Sequence, residues 1–253
     1  GSRVKFASML SSYQLDQLWF NDGTNNYYAL ELSDGTFEIV PGQDVLLYPR
    51  SHSNIIINSG GATTGVWSGT GTLLDPYVFT PNQDNAILLL SDLVTKLNAG
   101  SVKVSSSRTG GTQGGSVILN TALTAYNNGA GARNFVIDVN GNITLTYNVT
   151  LTTTGTGYTG SVGWPSHGIS LQSATGDISV AGNINTTPSA YNVNNGTYAG
   201  GRGGDVIIST PGTVLVSGMI VANGGNQTNA SYNGTTSSGG LSLIHISEPT
   251  RRS

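Results

Sequence analysis

Four stretches of the chain place an apolar residue two, four and eight positions after a glycine. Gly115 is followed by Val117, Leu119 and Leu123, and Gly141 by Ile143, Leu145 and Val149. Gly176 is followed by Ile178, Val180 and Ile184, and Gly212 by Val214, Val216 and Ile220. Apolar residues two apart, with small polar ones between them, predict strands with one buried face. The same strand recurring in one register predicts a solenoid, in which each copy buries its apolar row by stacking on its neighbours. The glycines are 26, 35 and 36 residues apart. Coils of roughly 20 to 26 residues, stacked about 4.8 Å apart, describe a parallel β-helix. The two longer intervals then read as coils carrying extruded loops at 155–168 and 186–204.

Other patterns surround the repeats. Ile87, Leu90, Leu93/Val94 and Leu97 fall at helical spacing, and Asn98-Ala99-Gly100 supplies a stop. Asp92 near the start and Lys96 near the end suit the helix dipole. This helix is expected to cover the open end of the stack, with Val102-Lys103-Val104 as the first rung. Upstream, Ser33-Asp34-Gly35-Thr36 separates the alternating runs Tyr28/Leu30/Leu32 and Phe37/Ile39, which signals a hairpin. Asn21-Asp22-Gly23-Thr24 marks an earlier turn, and strands near 45–48 and 54–58 are expected to extend the meander. The expected organisation is an N-terminal β-rich region at 1–82, a helical cap at 83–100, a parallel β-helix at 101–240 and a tail at 241–253. The predicted fold class is all-β.

Composition narrows the functions. Charged residues are 9% of the 253, net charge is -3 and the pI is near 5.4, so there is no basic footprint for nucleic acid. There are no cysteines, which removes disulfides and thiolate metal ligands. No run of 18 or more apolar residues predicts a membrane-spanning helix.

Candidate chemistry is sparse. Between 101 and 240 the acidic residues are Asp138, Asp177 and Asp205, each at a different offset from its rung glycine. Glycoside hydrolysis needs two carboxyl groups about 5 to 10 Å apart, and these three are not expected to converge. Gly200-Gly-Arg-Gly-Gly-Asp-Val-Ile207 fits one calcium-binding nonapeptide. Such sites need successive copies, so a glycine-rich corner is the expected reading. His167 follows Trp164-Pro165-Ser166 without a second His or an acid nearby in sequence, and is expected to be an exposed loop residue. No catalytic, cofactor-binding or metal-binding residue is predicted, and no cofactor. Tyr158, Trp164, Tyr191 and Tyr198 lie in the two long loops and are the candidate ligand contacts, since exposed aromatics stack on sugars or anchor partners.

Two resemblances complete the reading. Trp67-Ser-Gly-Thr-Gly-Thr72, Asp75-Pro-Tyr-Val78, Leu93…Leu97-Asn-Ala-Gly100-Ser-Val-Lys-Val104, Gly176-Asp-Ile-Ser-Val-Ala-Gly-Asn-Ile-Asn185 and Gly212-Thr-Val-Leu-Val-Ser-Gly-Met-Ile-Val-Ala-Asn-Gly-Gly225 resemble segments of filamentous-haemagglutinin-like bacterial surface proteins. The likeness covers roughly residues 65–240. It implies a right-handed parallel β-helix, secreted or at the cell surface, acting as an adhesin or display stalk toward a host-surface glycan or protein. Leu241-Ser-Leu-Ile-His-Ile-Ser-Glu-Pro-Thr-Arg251 resembles a translated transposase sequencing adapter, common in metagenomic assemblies, and the array is expected to be cut there. The expected function is non-catalytic attachment or display. The alternatives are a carbohydrate-active β-helix lyase or hydrolase and a phage tail-spike-like fibre.

Overall fold

A computed structural model describes residues 3–4, 19–21, 26–31, 37–41, 52–127, 131–153, 158–159, 162–189, 201–225 and 242–246. It divides into two compact units, Gly1–Ser51 and His52–Ser253. The first unit holds β1 (Arg3–Val4), β2 (Trp19–Asn21), β3 (Asn26–Glu31) and β4 (Phe37–Pro41) in one antiparallel sheet of order β1-β4-β3-β2. Both Asp-Gly turns anticipated from the sequence separate strands that pair as hairpins, Trp19 opposite Tyr28 and Ala29 opposite Ile39.

The second unit opens with β5 (Ile55–Asn58), β6 (Gly65–Ser68), β7 (Tyr77–Pro81), β8 (Ala86–Leu89), α1 (Leu90–Ala99) and β9 (Val102–Ser105). Then follow β10 (Val117–Leu119), β11 (Leu123–Asn127), β12 (Arg133–Val139), β13 (Ile143–Leu145) and β14 (Val149–Thr153). A small antiparallel pair, β15 (Tyr158–Thr159) and β16 (Val162–Gly163), precedes β17 (His167–Ser173), β18 (Ile178–Val180) and β19 (Ile184–Asn185). The last are β20 (Val206–Thr210), β21 (Val214–Val216), β22 (Ile220–Val221) and β23 (Ser242–Ile246).

These strands form three sheets. Sheet I has the order β8-β5-β10-β13-β18-β21, sheet II β11-β14-β19-β22, and sheet III β6-β7-β9-β12-β17-β20-β23. All neighbours are parallel except β6 and β7, an antiparallel hairpin at the edge of sheet III. From β10 onward each circuit of the chain gives one strand to sheet I, then one to sheet II, then one to sheet III.

All three positions of the sequence repeat stack in register. Val117, Ile143, Ile178 and Val214 form one column, and Leu119, Leu145, Val180 and Val216 the next. Leu123, Val149, Ile184 and Ile220 form a third, in sheet II. Through Ile184 these side chains are essentially fully buried. Each contributes roughly 1.5–3 kcal/mol of burial, so one circuit cannot meet the entropy of its own ordering, whereas stacked circuits share a core. Sheet III completes that core with a column of Phe79, Val104, Ile137, Leu171 and Ile208. The glycine pattern does not mark this third strand.

The repeat glycines are required by proximity more than by turn conformation. Of the four, Gly115 has a positive φ, at 75°. At Gly141 an added Cβ would lie 2.6 Å from the Ser116 hydroxyl, and at Gly212 2.6 Å from the Gly176 carbonyl oxygen. Each circuit's corner rests on the backbone of the one before, leaving no room for a side chain.

Three expectations are corrected. Strand 54–58 does not extend the N-terminal meander: β5 lies inside sheet I, with Ile55 opposite both Val117 and Ala86. Its Ile55/Ile57 alternation matches the Val117/Leu119 columns, so the compact unit begins at His52, well before residue 82. The segment near 45–48 lies outside the described residues. The helix begins at Leu90, because Ala86 and Leu88 face inward on alternate positions of β8. The first rung of the stack is not Val102–Val104, since β7 already precedes β9 in sheet III.

The helix occupies a strand's place. In every later circuit a sheet II strand lies between the sheet I and sheet III strands, and between β8 and β9 that slot holds α1. The helix packs against β11, the first strand of sheet II, and buries Leu93 and Leu97 in the shared core.

Candidate functional site

The chemistry-bearing side chains sit at corners, on outward faces and at the helical end. The corner after sheet III carries a ladder in which a side chain of one circuit accepts a backbone N–H from the next. Asn54 Oδ1 accepts from Ser116 N (2.9 Å), and Ser116 Oγ from Asn142 N (3.0 Å). Asn142 Oδ1 accepts from Asp177 N (2.8 Å), and Asp177 Oδ1 from Thr213 N (2.7 Å). A second ladder joins Asn148 Oδ1 to Asn183 N and Asn183 Oδ1 to Met219 N, both at 2.8 Å. The sequence reading missed both ladders. The signal of the first is a polar residue directly after each repeat glycine, and that of the second an Asn seven residues after Gly141 and Gly176.

Among the described residues of the second unit the carboxylates are dispersed and engaged. Asp138 pairs with Lys103 at 2.5 Å on the outward face of sheet III, and Asp205 with Arg202 at 2.7 Å. Asp84 accepts from Arg108 (2.7 Å), from Ser53 (2.9 Å) and from Thr112, tying loop 106–113 to the turn before β8. The Thr112 hydroxyl, ahead of Ser53 and Arg108, holds the Asp84 carboxyl below the usual carboxylate range. Asp92 is taken by the Thr63 hydroxyl and Asp75 by Thr70, within the β6–β7 loop. Among the described residues no group of three His, Asp or Glu side chains is placed to hold a metal ion.

The glycine-rich segment before β20, expected to be a corner, rests on the preceding circuit's backbone. A Cβ at Gly201 would strike the Trp164 carbonyl, and one at Gly204 the His167 carbonyl. Asp205 is turned to Arg202.

At the helical end Lys96 lies 4.4 Å from the centre of the Tyr77 ring and 5.8 Å from that of Trp67. Trp67 meets Phe79 edge-on at 5.4 Å. The cation expected to serve the helix dipole is thus also stacked on an aromatic wall. Beyond this wall the β6–β7 loop is held by the Asp75 carbonyl, which accepts from Thr70, Gly71 and Thr72 N–H groups, and it leaves Leu74 99% exposed.

The structure corrects the reading of His167. It is fully buried, because it continues the inward alternation of Ile169 and Leu171 in β17 and not the loop before it. Its Nε2 lies 2.9 Å from the Leu97 carbonyl oxygen in α1, while Nδ1 is buried without a partner. Burial is the main cause of a pKa lowered to about 4.

The four candidate aromatics are not brought together by anything described. Trp164 is half-buried ahead of β17, and the backbone of Tyr158 lies in β15. Tyr191 and Tyr198 fall outside the described residues. Outward positions of sheets I and II include Thr124, Thr144, Thr150, Ser179 and Asn185, as expected. Ile56, Ile87 and Ile118 nevertheless form an outward apolar column in sheet I, and Leu215 stands on the same face. No helix among the described residues is long and apolar enough to cross a membrane.

No family model matches the chain, and neither a curated protein nor a solved structure is found to be similar to it.

Proposed function

We propose that the strands from β5 to β22 wind as a right-handed parallel β-helix, and that the chain serves attachment or display at a bacterial surface, or in a secreted protein, without catalysis. The winding is supported by the repeated passage through sheets I, II and III in one order. Right-handedness follows from the strong preference of parallel crossovers for that hand. The family resemblance to filamentous-haemagglutinin-like proteins points the same way. Residues 241–251 are read as adapter-derived, which makes β23 a foreign strand accepted by the edge of β20.

The observation that carries the non-catalytic reading is the state of the carboxylates. Asp75, Asp84, Asp92, Asp138, Asp177 and Asp205 each already hold a structural partner, and they lie at separate corners and faces. A hydrolase or lyase needs convergent groups with free valences. A surface of Ser, Thr and Asn on a stacked scaffold suits contact with glycans or proteins. The tail-spike-like alternative draws support from the Ile56/Ile87/Ile118 column, which would suit a lateral interface between copies.

The test is a glycan and matrix-protein array probed with the purified chain, beside a polysaccharide turnover panel. Saturable binding with no turnover is expected. Sustained depolymerisation of any polysaccharide would overturn the proposal, and a stable trimer in solution would favour the fibre reading.

A further inference from the structure

His167 and Arg133 are register partners at the start of neighbouring strands in sheet III, and both reach the last turn of α1. Arg133 donates to the Asn98 carbonyl at 2.8 Å, and Asn98 Oδ1 accepts from Tyr126 N at 2.8 Å. The helix is therefore fastened to the circuit beneath it through its C-terminal carbonyls. With Nε2–H donated to Leu97, His167 is neutral and its Nδ1 is a bare acceptor facing no donor.

We propose that His167 is an acid-sensitive latch: a second proton, on Nδ1, releases α1 from the stack and uncovers the edge of sheet II. The added N–H would find no acceptor, and the added charge would stand beside a cation already in place, Arg133. Among the described residues the groups acting on the ring are the Leu97 carbonyl and Arg133, and neither is a carboxylate that could receive the added proton. From α1 come Lys96, stacked on Tyr77, and Asp92, held by Thr63. From β20 and its approach come Arg202 and Asp205, whose side chains pair with each other, while the Asp205 backbone lies against Gly168. From β11 comes neutral Asn127, whose amide serves the Gly131 and Pro165 carbonyls. Ser166 and Thr186 hydroxyls are spent on the Thr186 and Gly204 carbonyls.

The sign follows from linkage. Burial lowers the His167 pKa to about 4, against an upward pull from the Leu97 carbonyl and a further lowering by Arg133. Released into water the ring returns to its ordinary 6.5. The open form therefore binds more protons between these values, and closure weakens as pH falls from above 6.5 toward 4. Opening is favoured by roughly 30-fold on going from pH 7.5 to 5.

Hydrogen exchange of the full chain tests this, with rates corrected for the intrinsic pH effect. Amides of 94–99 should lose roughly 30-fold protection between pH 7.5 and 5, while those of β13 and β18 stay protected. In His167→Gln, which keeps a donor for Leu97 but cannot titrate, helix protection should be flat with pH. Should that variant fail to fold, the His167 ring resonance of the unaltered chain decides. A midpoint near 4, moving together with the α1 amides, supports the latch. A midpoint near 6.5, or helix protection indifferent to pH, would overturn it.

Discussion

In the middle of the stack the repeat positions are answered by like residues in the next circuit, whereas the contacts that hold α1 are made once each. In sheet I between β10 and β21 each inward Val, Ile or Leu meets another in the next strand, and Asn142 and Asn148 accept from Asp177 and Asn183. One local rule, satisfied repeatedly, builds that region. Around α1 the contacts are unique: Lys96 on Tyr77, Arg133 on Asn98, His167 on Leu97, and Asp84 on Arg108. The difference teaches that propagation of such a stack needs only periodicity, while its termination needs specific chemistry. An end that must bind a helix in place of a strand cannot borrow its partners from the repeat.

This contrast can be broken most severely in the repeated region. Ile178→Asn puts an amide between Ile143 and Val214 with no partner, and should cost on the order of 4 kcal/mol. Ser179→Asn, one residue along and facing outward, should change stability by less than about 0.5 kcal/mol. Denaturant melts of the two variants measure the gap. Equal losses would mean that the two faces of β18 are not distinguished as described. A smaller effect sharpens the comparison: Asn183→Ala removes one rung of a polar ladder and leaves Met219 N without its acceptor. It should cost about 1 kcal/mol, read from the same melts, and a cost near zero would make the ladder incidental.

Much of this was legible because the repeat is written directly in residue types. The four Gly-based copies gave two of the three strands per circuit with their register, since a period of two admits one inward set. The third strand was equally visible in principle, as Phe135-x-Ile137-x-Val139, Ile169-x-Leu171 and Val206-x-Ile208, but no shared glycine flagged it. The helix start was misread because Ala86–Leu89 satisfies both a period of two and one of 3.6 over so short a run. His167 was misplaced for a related reason. Its neighbours Trp164-Pro165-Ser166 look like loop, and nothing local shows that β17 already begins at the histidine or that Leu97, 70 residues away, supplies its carbonyl. Long-range partners of this kind carry no local signature.

The central claim, that circuits stack in parallel register, is tested most directly by pairs of introduced cysteines, since the chain has none of its own. Thr144 and Ser179 are register partners facing outward in sheet I, and Gln172 faces outward in sheet III. Neighbouring parallel strands lie about 4.8 Å apart, within reach of a disulfide. Thr144→Cys with Ser179→Cys should cross-link rapidly under mild oxidation, and Thr144→Cys with Gln172→Cys should not. Failure of the first pair alongside ready closure of the second would contradict the stacked arrangement.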